Sequence, residues 1–176
     1  MNSSRKFACT LVALAMWAIG SSSAFAGADA PLAIGTLVGA WKLVRVDNLM
    51  PDGARVELYG ASPKGLLMFD AQGRYSLQIL RAGRARFAAS DKAKGTPQEY
   101  ADAVRGSNAH FGRYTVNAAD KTITFHIENA SFPNWEGTQQ TRSFVLANGA
   151  LTYSVPTPTS GGNAIGEVEW RRADSD

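Results

Sequence analysis

The stretch Lys121-Thr122-Ile123-Thr124-Phe125-His126-Ile127-Glu128 decides the fold class. Ile123, Phe125 and Ile127 alternate with Thr122, Thr124 and His126. That period of two gives a β-strand with one apolar face. Just upstream, Asn117-Ala118-Ala119-Asp120 reads as a turn and His110 to Val116 as another strand. Downstream, a loop containing Phe132-Pro133-Asn134-Trp135-Glu136-Gly137 leads into a strand from Thr138 to Leu146. Asn148-Gly149 is a hairpin signal, because a two-residue type I′ turn needs positive φ at both positions. Leu151 to Val155 returns, and a Pro-, Thr- and Gly-rich loop, Pro156 to Asn163, precedes a last strand from Ile165 to Arg172.

The same pattern runs towards the N-terminus. Trp41 to Asn48 is extended, Met50-Pro51-Asp52-Gly53 turns, and Arg55 to Tyr59 is a short extended piece. Lys64 to Phe69 and Arg74 to Arg81 form a hairpin around Asp70-Ala71-Gln72-Gly73, with Tyr75, Leu77 and Ile79 on one face. One segment breaks the series. Thr96, Pro97 and Glu99 supply an N-cap, a first-turn proline and a capping-box acid; Tyr100, Ala103 and Val104 make a narrow stripe, and Gly106 is the stop. This predicts one short helix, about ten residues long, covering the sheet. The expected fold is therefore all-β: an eight-stranded antiparallel up-and-down barrel with one short helix inserted after the third strand. Closure removes exposed edges. A two-sheet sandwich has the same periodicity and stays open as the alternative.

The first 26 residues read as a signal peptide, with Arg5 and Lys6 ahead of an apolar run from Phe7 to Gly20 and an Ala24-Phe25-Ala26 cleavage site. The run is too short for the roughly 20 residues of a transmembrane helix; a permanent N-terminal anchor is the alternative. Cys9 precedes most of the apolar run, which argues against lipidation. The expected organisation is signal 1–26, an extension 27–36, a barrel 37–172 and a tail 173–176, located in the periplasm or secreted. Cleavage leaves no cysteine. Of 18 Lys and Arg, Arg5 and Lys6 lie in the signal, so the remaining 16 face 15 Asp and Glu. Such a balance excludes a nucleic-acid-binding surface, which needs a one-sided excess of basic residues. The run Arg81, Arg84 and Arg86 reads as a solvated loop.

Leu37-Val38-Gly39-Ala40-Trp41-Lys42-Leu43 opens the first strand with Gly-x-Trp and resembles the N-terminal signature of lipocalins and other calycins. More of the chain is similar to the bacterial and fungal lipocalin-like domain family. The matching pieces are Pro63 to Asp70, Gly73 to Gln78, Phe111-Gly112-Arg113-Tyr114 and Phe132 to Thr138. The resemblance implies a barrel with a cavity. It also implies that Trp41, two residues after Gly39, plugs one end and that Arg171 or Arg172 packs across it. It does not imply an activity, since calycins are mostly carriers with a few isomerases and cyclases among them.

The residues add little catalytic chemistry of their own. Two histidines and no ligand-spaced carboxylates argue against a metal site, and no cofactor-binding motif is present. The candidate ligand-binding residues are Tyr75, Gln78, His110, Tyr114, Phe125, His126, Trp135, Arg142 and Tyr153, polar or aromatic groups on strands that line apolar walls in a carrier. Arg142 is the most informative: facing inward, it requires a carboxylate or awaits an anionic head group. Trp135 forms the rim or a lid, or packs on the wall to hold its loop. The leading reading is a carrier of a small hydrophobic or amphipathic molecule. An isomerase or cyclase using His110 or His126, and a protein-interaction module acting through its loops, are the rivals.

Overall fold

The computed structural model describes residues 34–159 and 163–173. The expected signal segment, most of the extension and the end of the tail lie outside the described residues. Among the described residues, no helix is long and apolar enough to cross a membrane.

The strands are β1 (Gly39–Leu49), β2 (Arg55–Glu57), β3 (Lys64–Phe69), β4 (Arg74–Leu80), β5 (Ser107–Asn117), β6 (Thr122–Ala130), β7 (Gln139–Ala147), β8 (Ala150–Val155) and β9 (Ile165–Arg172), with helix α1 (Pro97–Arg105) between β4 and β5. Every neighbouring pair is antiparallel, and β1 returns to pair with β9 from Trp41↔Arg172 to Leu49↔Ile165. That pairing closes one continuous wall of eight strands and excludes the two-sheet sandwich. The short β2 is not an extra wall strand. It takes over the edge of β1 at Asp47–Leu49, beyond the reach of β3, which pairs with Gly39–Lys42. Counted by wall strands, the helix follows the third.

Two bulges set which side chains face inward. On β1 the register slips between Leu43 and Arg45, so Trp41 and Leu43 point into the barrel before it and Val46 after it. On β6 the slip between Phe111↔Asn129 and Gly112↔Ile127 leaves Glu128 as the extra residue. Ile123, Phe125 and Ile127 are buried, and the even positions before the bulge face out. An added residue in one strand shifts the alternation by one, which periodicity alone does not locate. At the β7–β8 hairpin, Asn148 and Gly149 have φ of 53° and 74°, the left-handed pair a type I′ turn requires.

The helix starts as read. The Glu99 amide donates to Thr96 Oγ1 at 3.2 Å and the Thr96 amide to Glu99 Oε2 at 2.7 Å, with Pro97 in the first turn. Its expected role as a cover for the sheet is not what it does. No residue of α1 is buried, and Val104 is 66% exposed. Tyr100 packs instead on Phe87 (centroids 5.7 Å), while its hydroxyl donates to Lys92 O and accepts from the Gly95 amide. The stripe is too narrow to hold a wall, so α1 and the segment before it brace each other above the ends of β4 and β5.

Candidate functional site

The barrel has two unlike ends. The β1 N-terminus, the β9 C-terminus and the tight β3–β4, β5–β6 and β7–β8 turns share one; the longer β4–β5, β6–β7 and β8–β9 connections share the other, the mouth.

The tight-turn end is plugged. Trp41 has no exposed surface and its Nε1 donates to Leu37 O at 2.9 Å. The Arg172 guanidinium lies 4.4 Å from the centre of the Trp41 ring, donates to Val38 O at 2.7 Å and also donates to Thr36 O. Of the two candidate arginines, then, Arg172 serves and Arg171 is exposed. Gly39 has φ +126°, and a Cβ there would sit 2.8 Å from Arg172 Nη1. The glycine of Gly-x-Trp leaves room for the arginine that covers the tryptophan.

Above the plug, Phe125 is the hub of an aromatic lumen. Phe69 (6.2 Å), Tyr75 (4.8 Å), His110 (5.9 Å) and Tyr153 (6.0 Å) surround its ring. Edge-to-face and offset pairs of this kind are each worth about 0.5–1.5 kcal/mol beyond their buried area. The Tyr75 hydroxyl and His110 Nδ1 lie 2.8 Å apart. Burial, aided by the charge of Arg142, pushes the His110 pKa down to about 3, so the imidazole is neutral at pH 7. Burial also raises the Tyr75 pKa, keeping its hydroxyl protonated. Tyr114 is tied towards the plug: its hydroxyl donates to Asp70 O at 2.9 Å and its ring packs on Phe69 at 4.6 Å. At the mouth, Trp135 is half-buried in a short turn, edge-on to His110 at 5.8 Å and to Phe132 at 5.4 Å. It is therefore both the packing anchor of its loop and the ring over His110.

Arg142 is the odd group in this interior. It is 7% exposed, and its guanidinium carbon lies 5.2 Å from the Phe125 centroid and 5.0 Å from that of Tyr153. Nη2 donates to Gln140 Oε1 at 2.5 Å, whereas Nε has no partner and no carboxylate pairs with the group among the described residues. Tyr153, with its hydroxyl pKa raised by burial, lies near enough to Arg142 and Trp170 that both favour its ionised form. Yet neither the Tyr153 hydroxyl nor Trp170 Nε1 has a partner in proper hydrogen-bond geometry. Three buried polar atoms on β7, β8 and β9 are thus left unsatisfied on one face of the wall.

Two candidate residues lie outside. Gln78 is exposed on β4 and lines an outer cleft of about 160 Å³ with Ser76, Phe111, Asn129 and Ser131. His126 is on the outer face of β6, 3.3 Å from Thr115 Oγ1. Both readings are corrected by the register: inward positions are odd-numbered on β4 and, up to the bulge, on β6. A second cleft, of about 350 Å³, runs outside β1 and β2 past Arg45, Asp47 and Arg55. Neither is the lumen. Sequence reasoning missed Gln140 and Trp170. The same alternation finds both: Gln140 is two residues before Arg142, and Trp170 lies between Val168 and Arg172 on the face that carries the plug.

A closed eight-stranded antiparallel barrel, plugged by a Trp–Arg pair and lined with aromatic rings, defines a calycin-type protein. The chain belongs to the lipocalin-like domain family, whose profile matches residues 38–173. The 4'-hydroxy-3'-methoxypropiophenone carrier protein of Aspergillus oryzae (strain ATCC 42149 / RIB 40) is 30% identical over 105 residues, which is 55% of this chain and 95% of that protein. A lipocalin-like protein from Bacteroides uniformis ATCC 8492 superposes with a TM-score of 0.42 at 16% identity, over 77% of this chain and 97% of that one.

Proposed function

We propose that this protein is a periplasmic or secreted carrier that holds one small aromatic or amphipathic molecule in its barrel. The observation that carries this reading is the buried cation of Arg142, set among rings without a carboxylate. An isolated buried charge costs several kcal/mol, and a wall that needed only packing would fill the position with leucine or methionine. A relative named as the carrier of an aromatic ketone supports the reading from outside the structure. The ligand reaches the lumen by displacing side chains at the mouth, where Trp135 and the 41%-exposed Phe132 are the least confined rings. Exchange of one aromatic surface for another changes little buried area, so the cost of opening is modest and the gain comes from satisfying the polar groups beneath.

Catalysis has less support. With its low pKa, His110 is a weak base at neutral pH, and His126 faces away from the lumen. Native mass spectrometry of the protein isolated from the periplasmic fraction of its own cells tests the proposal. A chain beginning at Gly27 with a non-covalent small-molecule adduct is expected. A chain that keeps its first 26 residues overturns the location, and one that neither carries nor takes up aromatic ligands overturns the carrier.

A further inference from the structure

The three unsatisfied atoms on β7, β8 and β9 can all donate a hydrogen bond. Arg142 Nε and Trp170 Nε1 are donors only, and the Tyr153 hydroxyl, kept protonated by burial, donates as well. They come from adjacent strands and the same inward face. Phe144 pairs with Tyr153 across β7 and β8, which puts Arg142 on the diagonal; Leu151 pairs with Trp170 across β8 and β9, which puts Tyr153 on the diagonal again. All three residues are more than nine-tenths buried, at 7%, 1% and 0% exposure for Arg142, Tyr153 and Trp170. Buried polar groups are nearly always paired, and here three donors without partners come from adjacent strands. Across the lumen the neighbouring polar pair, Tyr75 and His110, is already joined to itself. Gln140 has spent its carbonyl oxygen on Arg142 Nη2.

Resting on the carrier reading, we propose that the ligand bears an anionic, acceptor-only head group, a carboxylate, sulfonate or phenolate, seated on Arg142 Nε, the Tyr153 hydroxyl and Trp170 Nε1. A cationic head meets the like charge of Arg142, and a donor-only head offers nothing to its Nε–H. A neutral carbonyl satisfies a donor but leaves the guanidinium charge without a counter-ion. Only an anion does both. Trp170 is two residues from Arg172 at the plug, so the head goes in first. The ligand body then lies against Phe125, Tyr75 and His110, with its tail under Trp135.

Two fluorescent probes with the same ring system separate this proposal from the carrier reading beneath it. 8-Anilinonaphthalene-1-sulfonate carries an acceptor-only anion, and N-phenyl-1-naphthylamine is the same molecule without it. The intact protein is expected to bind one equivalent of the sulfonate, tighter than the neutral probe by about tenfold or more, as a charged contact worth one decade or better requires. Arg142→Met should weaken the sulfonate by about tenfold and leave the neutral probe within about threefold. Its melting temperature without ligand should not fall, because a buried cation without a carboxylate is replaced by an apolar side chain of similar length. Tyr153→Phe, which removes one donor and little volume, should weaken the sulfonate alone and covers the case in which Arg142→Met does not fold. Equal affinity for the two probes, or sulfonate binding unchanged in both variants, overturns the head-group proposal and leaves the carrier standing. Failure to bind either probe overturns both.

Discussion

Two arginines stack on aromatic rings inside this barrel, and only one of them is finished. Arg172 lies over Trp41 and has backbone carbonyls of Val38 and Thr36 to accept its protons. Arg142 lies between Phe125 and Tyr153, hydrogen-bonded to Gln140 and without a carboxylate among the described residues. The cation–π attraction is of the same kind in both, about 0.5–2 kcal/mol. The difference lies in what surrounds the charge. At the plug, each cost of burial is met within the chain; in the lumen it is not. Satisfied polar groups hold a fold together, and the unsatisfied ones are where the proposed carrier function places its ligand. The outer face supplies a third case: Arg45 and Arg55 share Asp47 and Glu167, and Arg45 also reaches Glu169, an ion-pair network that is complete without a ligand.

The contrast is broken most directly at the plug. Trp41→Ala removes a fully buried indole and its bond to Leu37 O, and should cost about 3–5 kcal/mol. Arg172→Met should follow at about 2–4 kcal/mol, the stacking term together with charged hydrogen bonds to backbone carbonyls. Urea unfolding measured beside Arg142→Met gives the decisive comparison. The plug variant should shift its midpoint well down while the lumen variant does not. If both arginines cost the same, Arg142 is structural and the distinction between the two ends is lost.

Much of the wall was legible in the sequence because alternation is a local property. Tyr75-Ser76-Leu77-Gln78-Ile79 and Ile123-Thr124-Phe125-His126-Ile127 declare strands without help from the rest of the chain, and Asn148-Gly149 fixes its own hairpin. What stayed hidden is where alternation slips. The β1 bulge turns Val46 inward after Trp41 and Leu43, and the β6 bulge at Glu128 shifts the alternation beyond Ile127, yet neither leaves a mark in composition. The role of α1 was misread for a related reason. Its caps are local and were visible, but Tyr100 found Phe87 in the preceding loop, a partner no periodicity points to. The site was half legible. Arg142, Tyr153, Phe125 and His110 stand out as types, whereas their missing partners are a property of three-dimensional packing and cannot be read from one dimension.

A smaller effect, dependent on pH, sharpens the picture of the lumen. His110 faces Tyr75, Phe125, Trp135 and the charge of Arg142. With a folded pKa of about 3 against 6.5 in the unfolded chain, it binds a proton more readily once unfolded. Its contribution is therefore full above pH 6.5 and is lost as pH falls from there towards 3, with a slope of up to about 1.4 kcal/mol per unit. His110→Phe removes that slope. At pH 7 the variant leaves the Tyr75 hydroxyl without a partner and should lose about 1–3 kcal/mol. Between pH 7 and pH 5 its urea midpoint should fall less than that of the unaltered protein. Equal falls would mean that the ring is solvated, and the burial of His110 would have to be given up.

The smallest expected effect tests the register on which every inward assignment depends. Gln78→Ala and His126→Ala alter side chains on the outer wall, away from Arg142 and Phe125. Their stability changes should stay within about 0.5 kcal/mol, as for surface positions without a special role. Binding of the anionic probe should be unchanged in both. The neighbouring positions provide the control, because Leu77 and Phe125, one residue away on the same strands, are 1% and 0% exposed. Replacement of either by alanine should cost several-fold more than its outward neighbour, in line with about 2–5 kcal/mol for a buried leucine or phenylalanine. A one-residue slip in β4 or β6 would exchange these outcomes, since it turns every side chain of the strand to the opposite face. Four single substitutions, read as two adjacent pairs, therefore establish the face that Arg142 and its unfinished neighbours share.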